Sequence, residues 1–210
     1  MSDTAASRGT YHHGDLREAL LRAAEAELAE KGVEAFSLRG CAKRAGVSHA
    51  APAHHFRSAG DLLTALASVG FGRLVVSMRE RAEAASPDPE ARLTAAGLGY
   101  IDFAEANPAL FKLMFGSDRP AYENSSLRDC AGEAFSTLVD AVAAVRNDAP
   151  LASRAGIEHL SAAWAVVHGL AHLLIERKMP FLDAILAEDR ENMLSAIISR
   201  ASNARHSAAN

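Results

Sequence analysis

Between residues 15 and 204 the apolar positions recur with the period of an α-helix, and no stretch alternates as a strand would. Leu16, Leu20, Ala24 and Leu28 come every four residues, with Arg and Glu between them. That pattern predicts a helix opened by Asp15 and closed by Gly32. Two short helices follow, Leu38 to Ala45 and His49 to His54, around a tight turn at Gly46. Ser58 with Asp61 has the spacing of a capping box. It opens a longer helix carrying Leu62, Leu66, Val69 and Leu74 to about Ala85. Ser86-Pro87-Asp88-Pro89 breaks the pattern and starts a helix with Leu93, Ala96, Tyr100 and Phe103. Asn107-Pro108 then precedes the apolar run Ala109 to Phe115, and Gly116 to Ser126 reads as a loop. Leu127 to Val145 is helical again. Two final helices, near Ala152 to Lys178 and Phe181 to Ala204, flank Pro180. The expected fold is all-α, with about nine helices.

Residues 37–56, S-L-R-G-C-A-K-R-A-G-V-S-H-A-A-P-A-H-H-F, sharpen this picture. A short helix, a turn at Gly46 and a second short helix capped by Ser48 make a helix-turn-helix, which sets one helix in the DNA major groove. Gly46 supplies the left-handed conformation of the turn. Ala42 is small where the helices meet, Val47 points inward, and Pro52 falls in the first turn of the second helix. His49, Ala50 and Ala51 form that helix's leading edge, suited to base edges and thymine methyls. Arg39, Lys43, Arg44 and Arg57 suit phosphates, with His54 and His55 beside them. Residues 35–60 hold these four cations and no Asp or Glu.

Charge distribution agrees. The net charge of −4 would not suggest nucleic acid. Residues 1–61, however, carry as many basic as acidic side chains, so all the excess acid lies beyond them. Cys41 and Cys130 are far apart and form no CxxC pattern, so neither a disulfide framework nor a zinc site is implied. Cys41 is expected in an apolar core slot. The polar first ten residues do not read as a signal peptide, and the apolar stretch Ala162 to Ile175, interrupted by two histidines, is short for a bilayer. A cytoplasmic protein without membrane contact is expected. No G-x-S-x-G, H-E-x-x-H or phosphate loop points to an enzyme.

Three runs together, Y-H-H-G-D-L-R-E-A-L-L (residues 11–21), A-K-R-A-G-V-S-H-A-A-P (42–52) and H-F-R-S (55–58), resemble the tetracycline-repressor (TetR) family of bacterial transcription regulators. Trp164-Ala-Val-Val-His168-Gly169 resembles the Trp-His-Gly signature of one of its subgroups. The resemblance implies a flexible tail (1–11), a helix-turn-helix DNA-binding domain (12–60) and a helical ligand-binding and dimerisation domain (61–210). It implies a repressor that binds a palindromic operator as a homodimer and answers a small-molecule effector, with no cofactor. The alternative is a helical small-molecule-binding protein or enzyme on a regulator-like fold whose DNA binding is weakened or lost. Two departures favour weakening: Ala53 stands where the family commonly has Tyr, and Ala59-Gly60 where it commonly has Lys.

In the C-terminal part, Tyr100, Phe103, Phe111, Met114, Phe115, Phe135 and Trp164, with His168, form either an effector pocket or plain core. His168 and His172 have a metal-ligand spacing without an evident third ligand, so packing is the preferred reading. Leu160, Val167, Ala171 and Leu174 recur on the penultimate helix, and Leu182, Ile185, Leu186, Met193 and Ile197 on the last. These stripes are expected to form a dimer interface as a four-helix bundle.

Overall fold

The structure, a computed structural model, describes residues 13–183 and 187–202. Among them are nine α-helices, two short 3-10 turns and no strand. The expected tail lies outside the described residues. Helix α1 (His13–Lys31) begins before Asp15, so that residue sits inside the helix rather than capping it. It ends where Gly32 takes φ 71° and its N–H bonds to the Leu28 carbonyl at 2.9 Å. Ser37 caps α2 (Leu38–Arg44), its Oγ accepting from the Gly40 N–H at 3.1 Å. Gly46 makes the turn at φ 69°.

The second helix of the motif differs from expectation. Only Ala51–His54 is helical, as one 3-10 turn, and no side chain caps it. Ser48 contributes its backbone carbonyl, which accepts from the Ala51 N–H at 3.0 Å. Pro52 is the physical reason. It disfavours the α region for Ala51 and lacks the N–H that an α-ladder needs. Three-residue bonds replace that ladder: Ala53 N–H to Ala50 O at 3.2 Å, His55 N–H to Pro52 O at 2.9 Å.

Helix α3 (Ala59–Ala84) joins this head to the body. Ser58 caps it, accepting from the Asp61 N–H at 3.0 Å, while the Asp61 carboxylate reaches back to the Arg57 N–H at 3.1 Å. By length and composition α3 could cross a membrane, but half of its most apolar stretch is buried against other helices. The body continues with α4 (Pro89–Ala106), α5 (Pro108–Gly116), α6 (Ser125–Arg146) and α7 (Arg154–Ile175). The last expected helix is interrupted: α8 (Pro180–Asp183) and α9 (Ala187–Ser202) are separate. Helices α3 and α4 cross in close contact. Ser77 Oγ donates to the Gly99 carbonyl at 2.7 Å, and a Cβ at Gly99 would lie 2.3 Å from the Ser77 carbonyl oxygen.

One continuous apolar core runs from Leu20 in α1 through α3, α4 and α5 to Ile198 in α9. A second, smaller cluster joins Leu93, Val142, Leu160 and Ala163, and packing within the protomer turns most of the expected dimer stripe inward. Leu160, Val167, Ala171 and Leu182 are buried within the protomer, and Leu174, Met193 and Ile197 are half-buried. Ile185 and Leu186 lie outside the described residues. The opposite side of α7 is a band of small residues, Ser161, Ala162, Ala165 and Gly169, flanked by exposed Ile157 and Leu173. Periodicity located a real stripe. Both sides of the helix are apolar, and the larger side chains took the core.

Candidate nucleic-acid interface and interior cavity

The head presents its cations on a frame held by a buried carboxylate. Glu27 of α1 is 7 % exposed. Gly40 gives it room, since a Cβ there would lie 2.0 Å from Glu27 Oε1. Arg44 donates to the same carboxylate, Nε to Oε2 at 3.2 Å, and also to Glu30. The Lys31 and Arg44 hydrogen bonds together hold Glu30 down to about 2. Arg44 therefore ties α2 to α1, and to meet a phosphate it would have to leave two carboxylates.

Arg39 and Lys43, on the same helix, are exposed and pair with no acid among the described residues. Arg57 is almost fully exposed and pairs with Asp61 at 3.2 Å. Ser48, His49, Ala50 and His54 are exposed, while Ala51 and His55 are half-buried. Arg17 was not foreseen: from α1 its guanidinium lies 5.7 Å from the Phe56 ring centre, beside the 3-10 turn. Only the tertiary fold brings the two together. Ala53, in place of the family's usual Tyr, is exposed on the turn. Cys41 fills the expected core slot, and burial pushes its thiol up to about 11.

The body holds a partly open cavity of about 400 Å³ between α3, α4, α5, α6, α7 and α9, with exposed Phe135 and Trp164 at its edge. Of the aromatic set, Tyr100, Met114, Phe115, Phe135 and Trp164 line it. Phe103 and Phe111 do not, since both are packed core, Phe111 with no exposure at all. His168 stands behind the wall, its Nδ1 2.7 Å from the Tyr100 hydroxyl. The small residues Ala96, Gly97, Ala131 and Ala134 shape the space, and among the described residues no Asp, Glu, Lys, Arg or His lines it. Burial raises the Tyr100 hydroxyl well above its ordinary value, against a lowering hydrogen bond from Trp164. Burial, with His172 nearby, lowers His168. The His168 and His172 rings are 4.6 Å apart, and no group of three metal-ligating side chains occurs among the described residues.

The loop after α5 touches both regions. Ser117 and Tyr122 line the cavity, and the Tyr122 hydroxyl donates to the Met114 carbonyl. Between them, the Ala121 N–H donates to Thr64 Oγ1 of α3 at 2.9 Å, and Arg119 pairs with Glu34 of the head at 3.1 Å.

Known proteins share this arrangement. Residues 20–66 match the profile of bacterial regulatory proteins of the tetR family, and residues 93–200 that of the tetracyclin repressor-like C-terminal domain. A solved protein of unknown function from Rhodococcus sp. RHA1 is 33 % identical, with 92 % of this chain and 98 % of that one covered and a TM-score of 0.75. The TetR family regulator PfmR of Thermus thermophilus shares the fold, with a TM-score of 0.61 at 19 % identity over 87 % and 96 % of the two chains. The HTH-type transcriptional regulator BetI of Yersinia pestis (strain Pestoides F) is 35 % identical over 97 residues, 46 % of this chain and 49 % of that protein. The chain spans about half the length of the curated relatives it matches. Two matched profiles, one over the head and one over the body that holds the cavity, place this chain in the TetR family of bacterial DNA-binding transcriptional regulators.

Proposed function

We propose that this regulator is a repressor that binds a palindromic operator as a homodimer and releases it when a small molecule fills the cavity. The observation that carries this reading is the loop after α5, which lines the cavity at Ser117 and Tyr122, holds the first turns of α3 at Thr64 and braces the head at Glu34. A ligand that repositions the loop would change the support of the head. Its leverage is set by its differential affinity for the two states. The dimer forms through the outward side of α7, where small residues let two helices approach between Ile157 and Leu173. Two heads would then address half-sites one DNA turn apart, roughly 34–36 Å.

Fluorescence anisotropy with DNA from the adjoining promoter, over a series of salt concentrations, tests the reading. Lys43→Ala should weaken matched and mismatched sites about equally and reduce the salt slope by about one unit. His49→Ala should narrow the gap between them. A salt-insensitive wild type with no sequence preference would instead favour a ligand-binding protein that has lost its operator, as Ala53 and Ala59 would allow.

A further inference from the structure

We propose that the cavity takes a neutral, predominantly apolar molecule carrying one hydroxyl group, which hydrogen-bonds to Tyr100. This rests on reading the cavity as the effector site. Its volume of about 400 Å³ suits one small ligand. Its wall is aliphatic and aromatic, with Phe71, Phe115 and Trp164 among the rings.

Neutrality follows from what surrounds the space. Among the described residues, no charged side chain lines it. Burial keeps Tyr100 protonated and His168 uncharged near pH 7. A carboxylate or ammonium entering here would lose its water with no counter-charge to replace it. Aromatic faces attract cations, but among the described residues no carboxylate lines the space to complete such a site.

The single polar group follows from the valences of Tyr100. A phenol has one proton to donate and two lone pairs. His168 Nδ1 takes one of these at 2.7 Å. The others remain in a largely apolar wall whose further hydroxyls already have partners, Ser117 accepting from the Arg119 N–H and Tyr122 donating to the Met114 carbonyl. If His168 accepts the Tyr100 proton, a lone pair is left for a ligand O–H. If His168 donates, the proton is left for a ligand oxygen. A hydroxyl satisfies either arrangement.

The test uses the full chain at pH 7 with three probes of one skeleton: 1-decanol, decanoate and decylammonium. Trp164, the only tryptophan in the sequence, reports occupancy by its fluorescence. Thermal shift gives a second readout. Decanol should bind, with the two charged probes weaker by about tenfold or more. Tyr100→Phe should weaken decanol by about 2–10-fold. Ala134→Phe and Leu138→Phe, each checked for helical content and cooperative melting, should both block it. Decanoate or decylammonium binding as tightly as decanol overturns the proposal. So does undiminished decanol binding in both filled variants, or no binding by any of the three. Operator affinity is measured separately. Decanol that binds without releasing DNA defeats the effector reading and leaves the ligand class standing. A charged compound that releases DNA from the wild type but not from the filled variants does the reverse.

Discussion

The head and the body reach function by opposite physical routes. In the head the interior is settled and the working groups are outside. A buried carboxylate, Glu27, is locked between Gly40 and Arg44, which leaves Arg39 and Lys43 projecting from a fixed frame. In the body the surface proposed to work is the interior itself, where small side chains at Gly97, Ala131 and Ala134 leave space unfilled. The head is therefore sensitive to loss of a polar tie. The body is sensitive in its packed core and tolerant along the cavity wall.

The largest expected effect separates core from wall within the body. Phe111→Ala removes a ring with no exposure and should cost about 3–5 kcal/mol in urea unfolding. Phe135→Ala, at the cavity edge and 38 % exposed, should cost less than about 1 kcal/mol. Equal costs would mean that the cavity wall is packed like the core.

A smaller effect tests the head. Arg44→Met leaves Glu27 buried without its counter-charge. Because Arg44 is a third exposed, the cost should be about 2–3 kcal/mol, at or below the about 3–5 kcal/mol of a fully buried pair. Lys43→Met, on the same helix, should stay within about 0.5 kcal/mol. If the two variants melt alike, Arg44 is not part of the frame.

The smallest expected effect concerns pH. His168 sits among Phe111, Phe115, Trp164 and Tyr100, with His172 beside it and the Lys112–Glu176 pair on neighbouring turns. Its folded value lies below the ordinary 6.5. Below about pH 6.5 the unfolded chain takes up a proton that the folded chain refuses. Stability should therefore fall as pH drops from about 6.5 through the lowered folded value. Glu30, held near 2, loses its contribution only at much lower pH. The fall in Tm between pH 7.5 and 5.5 should be smaller in His168→Gln than in the wild type. An unchanged pH dependence would assign it to another group.

The head was legible in the sequence because its signals are short-range. Gly46 and Ser58 act within three or four residues, and each does what its spacing predicts, whereas the side chain of Ser48 caps nothing. Even there, Pro52 converted the expected helix into a single 3-10 turn. The Arg44–Glu27 tie joins residues 17 apart, and no local pattern announces it. The cavity was half legible for a related reason. Phe111 and Phe115 lie one turn apart on α5, yet the first is core and the second is wall. Periodicity tells which side of a helix is apolar. It does not tell whether the space opposite is filled, nor which of two apolar sides of α7 a partner would meet.

The contact between Ser77 and Gly99 has a mechanical consequence. With backbone pressed on backbone and a hydrogen bond across it, α3 cannot slide past α4 at that point without breaking both. The segment of α3 from Ser77 to Ala59, which ends at the head, is about 27 Å long. A tilt of about 10° about this fulcrum would carry the head by about 5 Å, a sizeable fraction of the spacing between adjacent DNA grooves, while the atoms at the crossing barely move. On the proposed reading, a single glycine would thus fix the axis about which a small change in the cavity is magnified at the DNA.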